Sequence, residues 1–186
     1  MNEADVLALL AERGALLRGH FLLTSGRHSD VYVEKARVLE RPDDVDRLAA
    51  EMAGWYADID VVVSPAVGAI PLGFAVARAA GARFVFAERE KGVMTLRRGF
   101  QVSPGERVLV VEDVITTGGS AGEVHRLVDR LGATSLGVAA LVDRSSEPLP
   151  FPLRALARVV AVTHDAEECP MCARGMGVES HGSRRL

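Results

Sequence analysis

The stretch RVLVVEDVITTGGS, residues 107–120, places two adjacent acids between a run of apolar residues and a pair of glycines. The four residues of Val108–Val111 are all apolar, which predicts a strand that is buried on both faces. Glu112 and Asp113 follow directly. Because burying two unpartnered carboxylates side by side is unfavourable, we expect them to contact a polar group or a ligand.

Strand and helix patterns alternate around this stretch. The segments DVVVSP, RFVFAE, RVLVVED, SLGVAALVD and ARVVAVT predict strands, whereas AIPLGFAVARAAG and GSAGEVHRLVDRLGA predict helices that end at Gly81 and Gly132. This alternation is typical of an α/β fold with a doubly wound, mainly parallel sheet and right-handed crossovers. Ligands of such sheets bind beyond the carboxyl ends of the strands, where we expect Glu112 and Asp113 to lie.

The N-terminal region follows a different pattern. Residues 3–17 predict a helix, and Phe21–Leu23 and Val31–Val33 predict two short strands around the turn TSGRHSD. The segment RPDDVDRLAAEMAGWYADI, with a proline and acids in its first turn, then predicts another helix. The predicted regions are therefore an N-terminal hood over residues 1–38, an α/β core over residues 39–165 and a tail over residues 166–186.

The composition narrows the function classes. The chain has 186 residues, of which 48% are hydrophobic and 25% are charged, as expected of one globular domain. Its net charge of −3 predicts no nucleic-acid partner, which would need a basic surface. No apolar run is long enough to span a bilayer, and the acids in MNEADVLALL have the wrong sign for a secretory signal. We therefore expect a cytoplasmic protein with no membrane partner.

Two cysteines, Cys169 and Cys172, form a CxxC motif in the tail. In a reducing compartment this motif is typical of a redox pair or of half of a zinc site. Four zinc ligands would require His164 and His181, and the resulting spacing, H-x4-C-x2-C-x8-H, matches no zinc motif that we can assign. We therefore favour a tail turn closed by Pro170 over a metal site.

The glycines at the end of the opening stretch predict an anion site. Gly118, Gly119 and Ser120 open a helix, and glycines there let backbone N–H groups turn towards an anion beside the positive end of the helix dipole. A phosphate fits such a site, and Thr116, Thr117 and Ser120 offer it hydroxyl donors. The alternative is a plain strand-to-helix turn that is capped by Thr117 or Ser120.

The two acids limit further which phosphate-containing ligand can bind. The motif is neither G-x-x-x-x-G-K-[ST] nor G-x-G-x-x-G, the phosphate loops of nucleotide-hydrolysing and dinucleotide-binding proteins. Two carboxylates just before a phosphate site suit a ligand with vicinal hydroxyls beside a phosphate, because carboxylates accept hydrogen bonds from diols. A ribose 5-phosphate has both features.

The segment VLVVEDVITTGGS closely resembles the signature with which type I phosphoribosyltransferases bind 5-phosphoribosyl 1-pyrophosphate (PRPP): four hydrophobic residues, two acids, two hydrophobic residues and Thr-Thr-Gly-Gly. The resemblance implies that the acids hold the ribose 2′ and 3′ hydroxyls and that Thr116–Ser120 hold the 5′-phosphate. The PRPP-binding residues implied by the resemblance are Glu112, Asp113, Val114, Ile115, Thr116, Thr117, Gly118, Gly119 and Ser120.

Two further segments resemble the orotate-specific members of this family. GHFLLTSGRHSDVYVEK is similar to their N-terminal hood, and ALVDRSS is similar to the strand that carries an arginine on the orotate side of the pocket. The resemblance, which covers residues 15–165, implies that Thr116 and Arg144 bind orotate. An arginine fork suits a carboxylate, although Arg144 could instead pair with Asp143 or Glu147.

The segment EREKGVMTLRRGF, residues 88–100, is basic and lacks clear periodicity. It is either a solvated hairpin or a mobile flap. The family resemblance implies a flap that closes over pyrophosphate with Arg89 and Lys91 in its basic positions, so we expect Lys91, Arg89 and the ribose-binding Asp113 to serve catalysis.

The chain also departs from the common family pattern. Thr24 stands where many members have a hood lysine, and Val67-Gly68 replaces an aromatic-lysine pair. Their cationic role then falls to residues elsewhere, for which the candidates are Lys35, Arg97 and Arg98.

The resemblance implies a complete reaction, in which orotate and PRPP give orotidine 5′-monophosphate and pyrophosphate for pyrimidine biosynthesis. It also implies Mg²⁺, held mainly by substrate oxygens and water rather than by protein ligands, and a homodimer whose flap reaches the neighbouring active site. Two alternatives stay open: a purine or xanthine phosphoribosyltransferase, and a PRPP-sensing regulatory protein on the same fold.

Overall fold

The structure, a computed structural model, describes residues 1–23 and 25–180. A six-stranded sheet with the order β5-β4-β3-β6-β7-β8 forms its centre. Neighbouring strands are parallel except for the antiparallel pair β4 and β5. This confirms the predicted α/β fold with a mainly parallel sheet. The strands are β3 Val61–Pro65, β4 Arg83–Glu90, β5 Val93–Leu96, β6 Arg107–Ile115, β7 Thr134–Asp143 and β8 Leu153–Arg158.

Helices cover both faces of this sheet. Val108 and Val110 of β6 belong to one hydrophobic core, which the helix after β6 closes, whereas Leu109 and Val111 belong to a second core on the opposite face. All four side chains are fully buried, as the apolar run predicts. The helices are α1 Glu3–Glu12, α2 Ala36–Leu39, α3 Pro42–Ala53, α4 Ile70–Ala80, α5 Gly119–Arg130 and α6 Pro170–Ala173, with a 3-10 turn over Ala166–Glu168.

The hood is a separate three-stranded antiparallel sheet in the order β1-β2-β9. Its strands are β1 Leu16–Leu22, β2 His28–Val33 and the short β9 Thr163–His164. The third strand therefore comes from the C-terminal end of the predicted core. Arg27 of the hood donates hydrogen bonds to the Thr163 carbonyl and to Asp165, at 3.0 Å each. The predicted region boundaries at residues 38 and 165 stay a prediction, but the hood is in close contact with the last residues of the predicted core.

The bounds of two predicted elements were wrong. The first helix ends at Glu12 instead of residue 17, because Gly14 has a left-handed φ of 66° and Leu16 pairs with Val33 as a strand. The predicted strand ARVVAVT, residues 157–163, was misplaced: β8 begins earlier, at Leu153, and ends at Arg158, and the chain then crosses to the hood to form β9.

The segment predicted as either a solvated hairpin or a mobile flap contains the turn and the second strand of the hairpin β4–β5. Lys91 and Gly92 make its two-residue turn, with φ values of 51° and 84°, which is the geometry of tight hairpin turns. Met94 is buried and Leu96 packs on the same core, so alternate residues of β5 anchor the hairpin to the sheet. Residues 88–100, which contain the hairpin turn and β5, are called the flap below. None of the helices in the described part of the chain is long and apolar enough to span a membrane.

Candidate active site

The two adjacent acids lie near the carboxyl end of β6, and both are buried, with exposures of 8% for Glu112 and 3% for Asp113. The Lys35 ammonium, immediately before α2, lies 2.5 Å from Asp113 Oδ2 and partly neutralises the pair. Burial and the neighbouring Asp113 carboxylate raise the pKa of Glu112 to about 8. Glu112 is therefore mainly neutral at pH 7, while Asp113 has a cationic partner.

Gly68 permits this ion pair. A Cβ at this position would lie 2.5 Å from both Asp113 Oδ2 and Lys35 Nζ, which is closer than carbon atoms approach polar atoms. Gly68, one of the positions at which the chain departs from the family pattern, therefore leaves the space in which Lys35 pairs with Asp113. Arg97 and Arg98, the other candidates for the displaced cationic role, pair instead with Glu90 and Glu88.

The phosphate loop, Thr116–Ser120, joins β6 to α5. Gly118 has a left-handed φ of 71° and forms the N-cap of α5 without a side-chain hydrogen bond, so the predicted alternative of capping by Thr117 or Ser120 is wrong. Thr116 and Thr117 are exposed, and the first turn of α5 has no acidic residue. No side chain among residues 1–23 and 25–180 caps the N–H groups at this helix end, which leaves them available to an anion.

Backbone hydrogen bonds of Val114 and Ile115 position the start of this loop. Ile115 is buried in the core, and its carbonyl accepts a hydrogen bond of 2.8 Å from the Arg144 backbone N–H. The Val114 backbone N–H donates to Asp113 Oδ1 at 2.6 Å. These two hydrogen bonds fix the orientation of Asp113 and of the loop. The contact of Val114 and Ile115 with PRPP stays a prediction.

A cavity of about 340 Å³ opens beside the phosphate loop. It brings together Thr116 and Arg144, the two residues predicted on the orotate side, with residues from the hood and from the segment before β9. Sequence reasoning missed Tyr32, whose only sequence signal is its place in the predicted second hood strand. The lining residues are Leu23, Ser25, Arg27, Tyr32, Thr116, Thr117, Arg144, Ser146, Ala161 and Thr163.

Arg144 is held in this cavity by the hood. Its Nη2 lies 3.3 Å from the Val31 carbonyl and 3.5 Å from Ser29 Oγ, and its buried Nε has no hydrogen-bond partner among the described residues. Burial lowers the pKa of Arg144, which nevertheless stays a cation, since no arginine deprotonates at neutral pH. The predicted alternative of an ion pair with Asp143 or Glu147 does not occur in the described structure.

The flap does not reach the acids of β6. Arg89 pairs with Glu123 of α5 at 2.7 Å. Lys91 is exposed in the hairpin turn and makes no hydrogen bond or ion pair with any residue that the structure describes. Within a single chain, therefore, the structure brings Glu112, Asp113 and the phosphate loop together but leaves Lys91 apart.

The histidines that lie beside the tail cysteines are not the two that the sequence indicated. Cys169 and Cys172 lie against His20 and His28 of the hood, whereas the sequence pointed to His164 and His181 as the nearest candidate partners. His181 lies outside the described residues. This second group of polar side chains is separate from the cavity.

Comparison with known proteins agrees with this geometry. Residues 37–152 match the family described as the phosphoribosyl transferase domain. The chain is 48% identical to an orotate phosphoribosyltransferase of Pelotomaculum thermopropionicum over 190 residues, covering all of both chains. It is 45% identical to an orotate phosphoribosyltransferase of Chlorobium phaeobacteroides over 188 residues, covering 99% of this chain and 97% of the relative.

Solved structures agree as well. Orotate phosphoribosyltransferase from Aeropyrum pernix superposes with a TM-score of 0.71 at 28% identity, covering 83% of this chain and 93% of that one. The Mycobacterium tuberculosis orotate phosphoribosyltransferase, solved in complex with inorganic phosphate, gives a TM-score of 0.63 at 29% identity, with coverage of 84% and 95%. The chain therefore belongs to the type I phosphoribosyltransferase family, among the orotate phosphoribosyltransferases.

Proposed function

We propose that this chain transfers ribose 5-phosphate from PRPP to orotate in the cytoplasm, giving orotidine 5′-monophosphate and pyrophosphate for pyrimidine biosynthesis. One arrangement supports the proposal above all. Two buried acids lie near the end of the strand that leads into a glycine-rich helix N-terminus without a side-chain cap, and an arginine-lined cavity opens beside it.

The acids and the phosphate loop suit the two ends of ribose 5-phosphate. Asp113, which pairs with Lys35, accepts hydrogen bonds from ribose hydroxyls, and Glu112 accepts through its carboxyl oxygens. The hydroxyls of Thr116 and Thr117 and the free N–H groups of α5 donate to the 5′-phosphate. Holding both ends fixes C1′ of the ribose, the carbon at which the transfer takes place.

The cavity favours an anionic base. Arg144 presents a buried Nε with an open donor position, and a carboxylate is the group that an arginine fork binds best. Orotate carries a carboxylate, whereas purines do not. This argues for orotate over the purine or xanthine alternative.

The chemistry requires charge stabilisation more than a dedicated base. C1′ becomes electron-poor as pyrophosphate departs, and the negative Asp113 carboxylate near the ribose stabilises that charge. Lys35 holds Asp113 in place until the substrate arrives.

The residues present fit Mg²⁺ bound mainly by substrate oxygens and water. Asp113 and Glu112 are the nearby carboxylates, and with Asp113 paired to Lys35 and Glu112 mainly neutral they do not form a metal cage. When bound, the ion neutralises the charge of the departing pyrophosphate. Asp113 would hold the ion through one of its waters.

We extend the proposal to a homodimer in which the flap of one chain serves the other. Lys91 lies in an exposed turn and has no partner among the described residues, so it is available to a second copy. Arg89 exchanges Glu123 for pyrophosphate if the flap moves. Both residues would bring positive charge to the leaving group.

A base-competition assay tests the function. PRPP and Mg²⁺ are mixed with the protein and with orotate, adenine, hypoxanthine or xanthine, and consumption of each base is followed. We expect consumption of orotate alone, and Arg144→Gln should reduce kcat/KM for orotate about 100-fold or more. Arg154→Gln is the matched control, because Arg154 stacks on Trp55 outside the cavity.

Three results would reject the proposal. They are consumption of a purine instead of orotate, an unchanged kcat/KM in Arg144→Gln, and binding of PRPP without consumption of any base. The last result would favour the PRPP-sensing regulatory protein.

A further inference from the structure

A second cluster of ligating side chains lies in the hood, outside the active site. Its members are His20 of β1, His28 of β2, and Cys169 and Cys172 of the tail, and their four ligand atoms all lie within 4.8 Å of one another. We propose that these four residues form a structural Zn²⁺ site that joins the tail to the hood. The metal-binding step does not depend on the proposed enzymatic function.

The distances match tetrahedral zinc. With Zn–S near 2.3 Å and Zn–N near 2.0–2.1 Å, sulfur and nitrogen ligands of a tetrahedron lie about 3.6 Å apart. Cys169 Sγ lies 3.5 Å from His20 Nε2, and Cys172 Sγ lies 3.7 Å from His20 Nε2 and 3.3 Å from His28 Nδ1. The two ring nitrogens are 2.7 Å apart and would separate by roughly half an ångström when an ion replaced their hydrogen bond.

The ring of His20 is already oriented for metal binding. Its Nδ1 lies 2.9 Å from the Met176 carbonyl oxygen, which can only accept, so Nδ1 carries the proton. In the neutral ring the lone pair is then on Nε2, the atom that faces both sulfurs. A backbone carbonyl that fixes the outer nitrogen in this way is a common second partner of zinc-bound histidines.

Burial indicates a closed site. His20, His28 and Cys169 are 3%, 7% and 2% exposed, and Cys172 lies at the solvent-facing edge. Imidazole and thiolate ligands select Zn²⁺ over Mg²⁺ or Ca²⁺, which prefer oxygen. Four protein ligands leave no position open for a substrate, so the ion is structural. Binding displaces one proton from each thiol as the Zn–S bonds form, and the Nδ1 proton of His28 moves to its outer nitrogen or to solvent.

The site would stabilise one wall of the cavity. Beyond the cysteines, Glu179 exchanges backbone hydrogen bonds with β1, since its N–H donates to the His20 carbonyl and its carbonyl accepts from Leu22, at 2.8 Å each. The loop between β1 and β2 contributes Leu23, Ser25 and Arg27 to the cavity wall. An ion at the base of this hairpin therefore holds the tail and the cavity-lining loop in one unit.

Metal analysis of the untagged full-length chain, purified from zinc-supplemented cells under reducing conditions, tests the proposal. We expect about one zinc per chain, falling below about 0.1 in Cys169→Ser and Cys172→Ser. His164→Gln is the matched control and should keep the metal, since His164 of β9 does not belong to the cluster. Replacement by Co²⁺ should give the absorption bands of a tetrahedral site with thiolate ligands.

A chelator experiment on the wild-type chain avoids variants that fail to fold. Removing zinc should lower Tm by at least about 5 °C, and adding zinc back should restore it. The proposal is overturned if the chain has no zinc and no tetrahedral Co²⁺ spectrum, if both cysteine variants keep the metal, or if mass spectrometry finds Cys169 and Cys172 joined as a disulfide in the freshly purified reduced protein. Because these readouts need no PRPP or orotate, their failure would leave the proposed transferase activity intact.

Discussion

Gly118→Ala should destabilise the protein, because two separate costs meet at this position. Gly118 has a φ of 71°, a conformation that costs a residue with a Cβ roughly 1–2 kcal/mol. The added Cβ would also lie 2.7 Å from Leu149 and 2.9 Å from Phe151, and overpacking of this kind costs about 1–3 kcal/mol. The free energy of unfolding should fall by about 2–5 kcal/mol, which lowers Tm by roughly 4–20 °C in a domain of this size.

Two control variants separate these costs from ligand binding. Gly81→Ala has a similar φ of 67° but no atom within 4 Å of its Cβ, so it should lose only about 1–2 kcal/mol. Gly119→Ala has neither problem, with its nearest neighbour at 3.6 Å, and should stay within about 1 kcal/mol of wild type. Its methyl group would nevertheless obstruct the approach of a phosphate to the backbone, so we expect PRPP affinity to fall about tenfold or more.

Urea denaturation gives the unfolding free energies, and isothermal titration calorimetry gives the PRPP affinities. A Gly118→Ala variant as stable as wild type would refute the packing argument. A Gly119→Ala variant with unchanged PRPP affinity would show that the phosphate does not bind at this helix end.

Three further predictions concern the charges of the site. Since the folded state binds the Glu112 proton more tightly than the unfolded state does, stability should fall from about pH 4.5 to about pH 8, by at most about 1.4 kcal/mol per unit. Urea titrations should show a flatter profile for Glu112→Gln, and equal slopes would contradict the pKa shift. Lys35→Met leaves buried Asp113 unpaired and should cost about 1–2 kcal/mol in thermal melts, whereas Arg37→Met, a control on neighbouring α2, should cost little. Lys91→Ala should lower kcat about 10–100-fold with unchanged stability, and a wild-type kcat at saturating substrates would remove Lys91 from catalysis.

Local sequence patterns predicted four of the six strands of the central sheet, β3, β4, β6 and β7. The apolar run of Val108–Val111 specified a strand buried on both faces, and Gly81 and Gly132 marked where helices α4 and α5 give way to turns. The end of α1 was harder to predict, since the apolar residues after Glu12 suit a strand as well as a helix. Pairing of Leu16 with Val33 decides between the two, and local patterns do not report pairing.

In the site, too, residues that are contiguous in sequence were predicted, and contacts between distant residues were missed. The acids and the phosphate loop are contiguous in sequence, so their motif predicted them together. The contact of Lys35 with Asp113 joins residues 78 positions apart and depends on the lack of a side chain at Gly68. The hood cluster was missed because His20 and His28 lie far from the tail cysteines in sequence. Long-range contacts bring them near, among them the pairing of β2 with β9 and the backbone hydrogen bonds of Glu179 with β1.

The proposed transferase function depends on simultaneous recognition of a ribose diol and a 5-phosphate by Glu112–Ser120. Calorimetric titration of ribose 5-phosphate and 2-deoxyribose 5-phosphate into wild type and into the Glu112→Gln/Asp113→Asn double variant tests this most directly. We predict that wild type binds the ribose compound about tenfold or more tightly than its deoxy analogue and that the double variant loses this preference. Equal affinities of wild type for the two sugars, or the same preference in the double variant, would contradict the account.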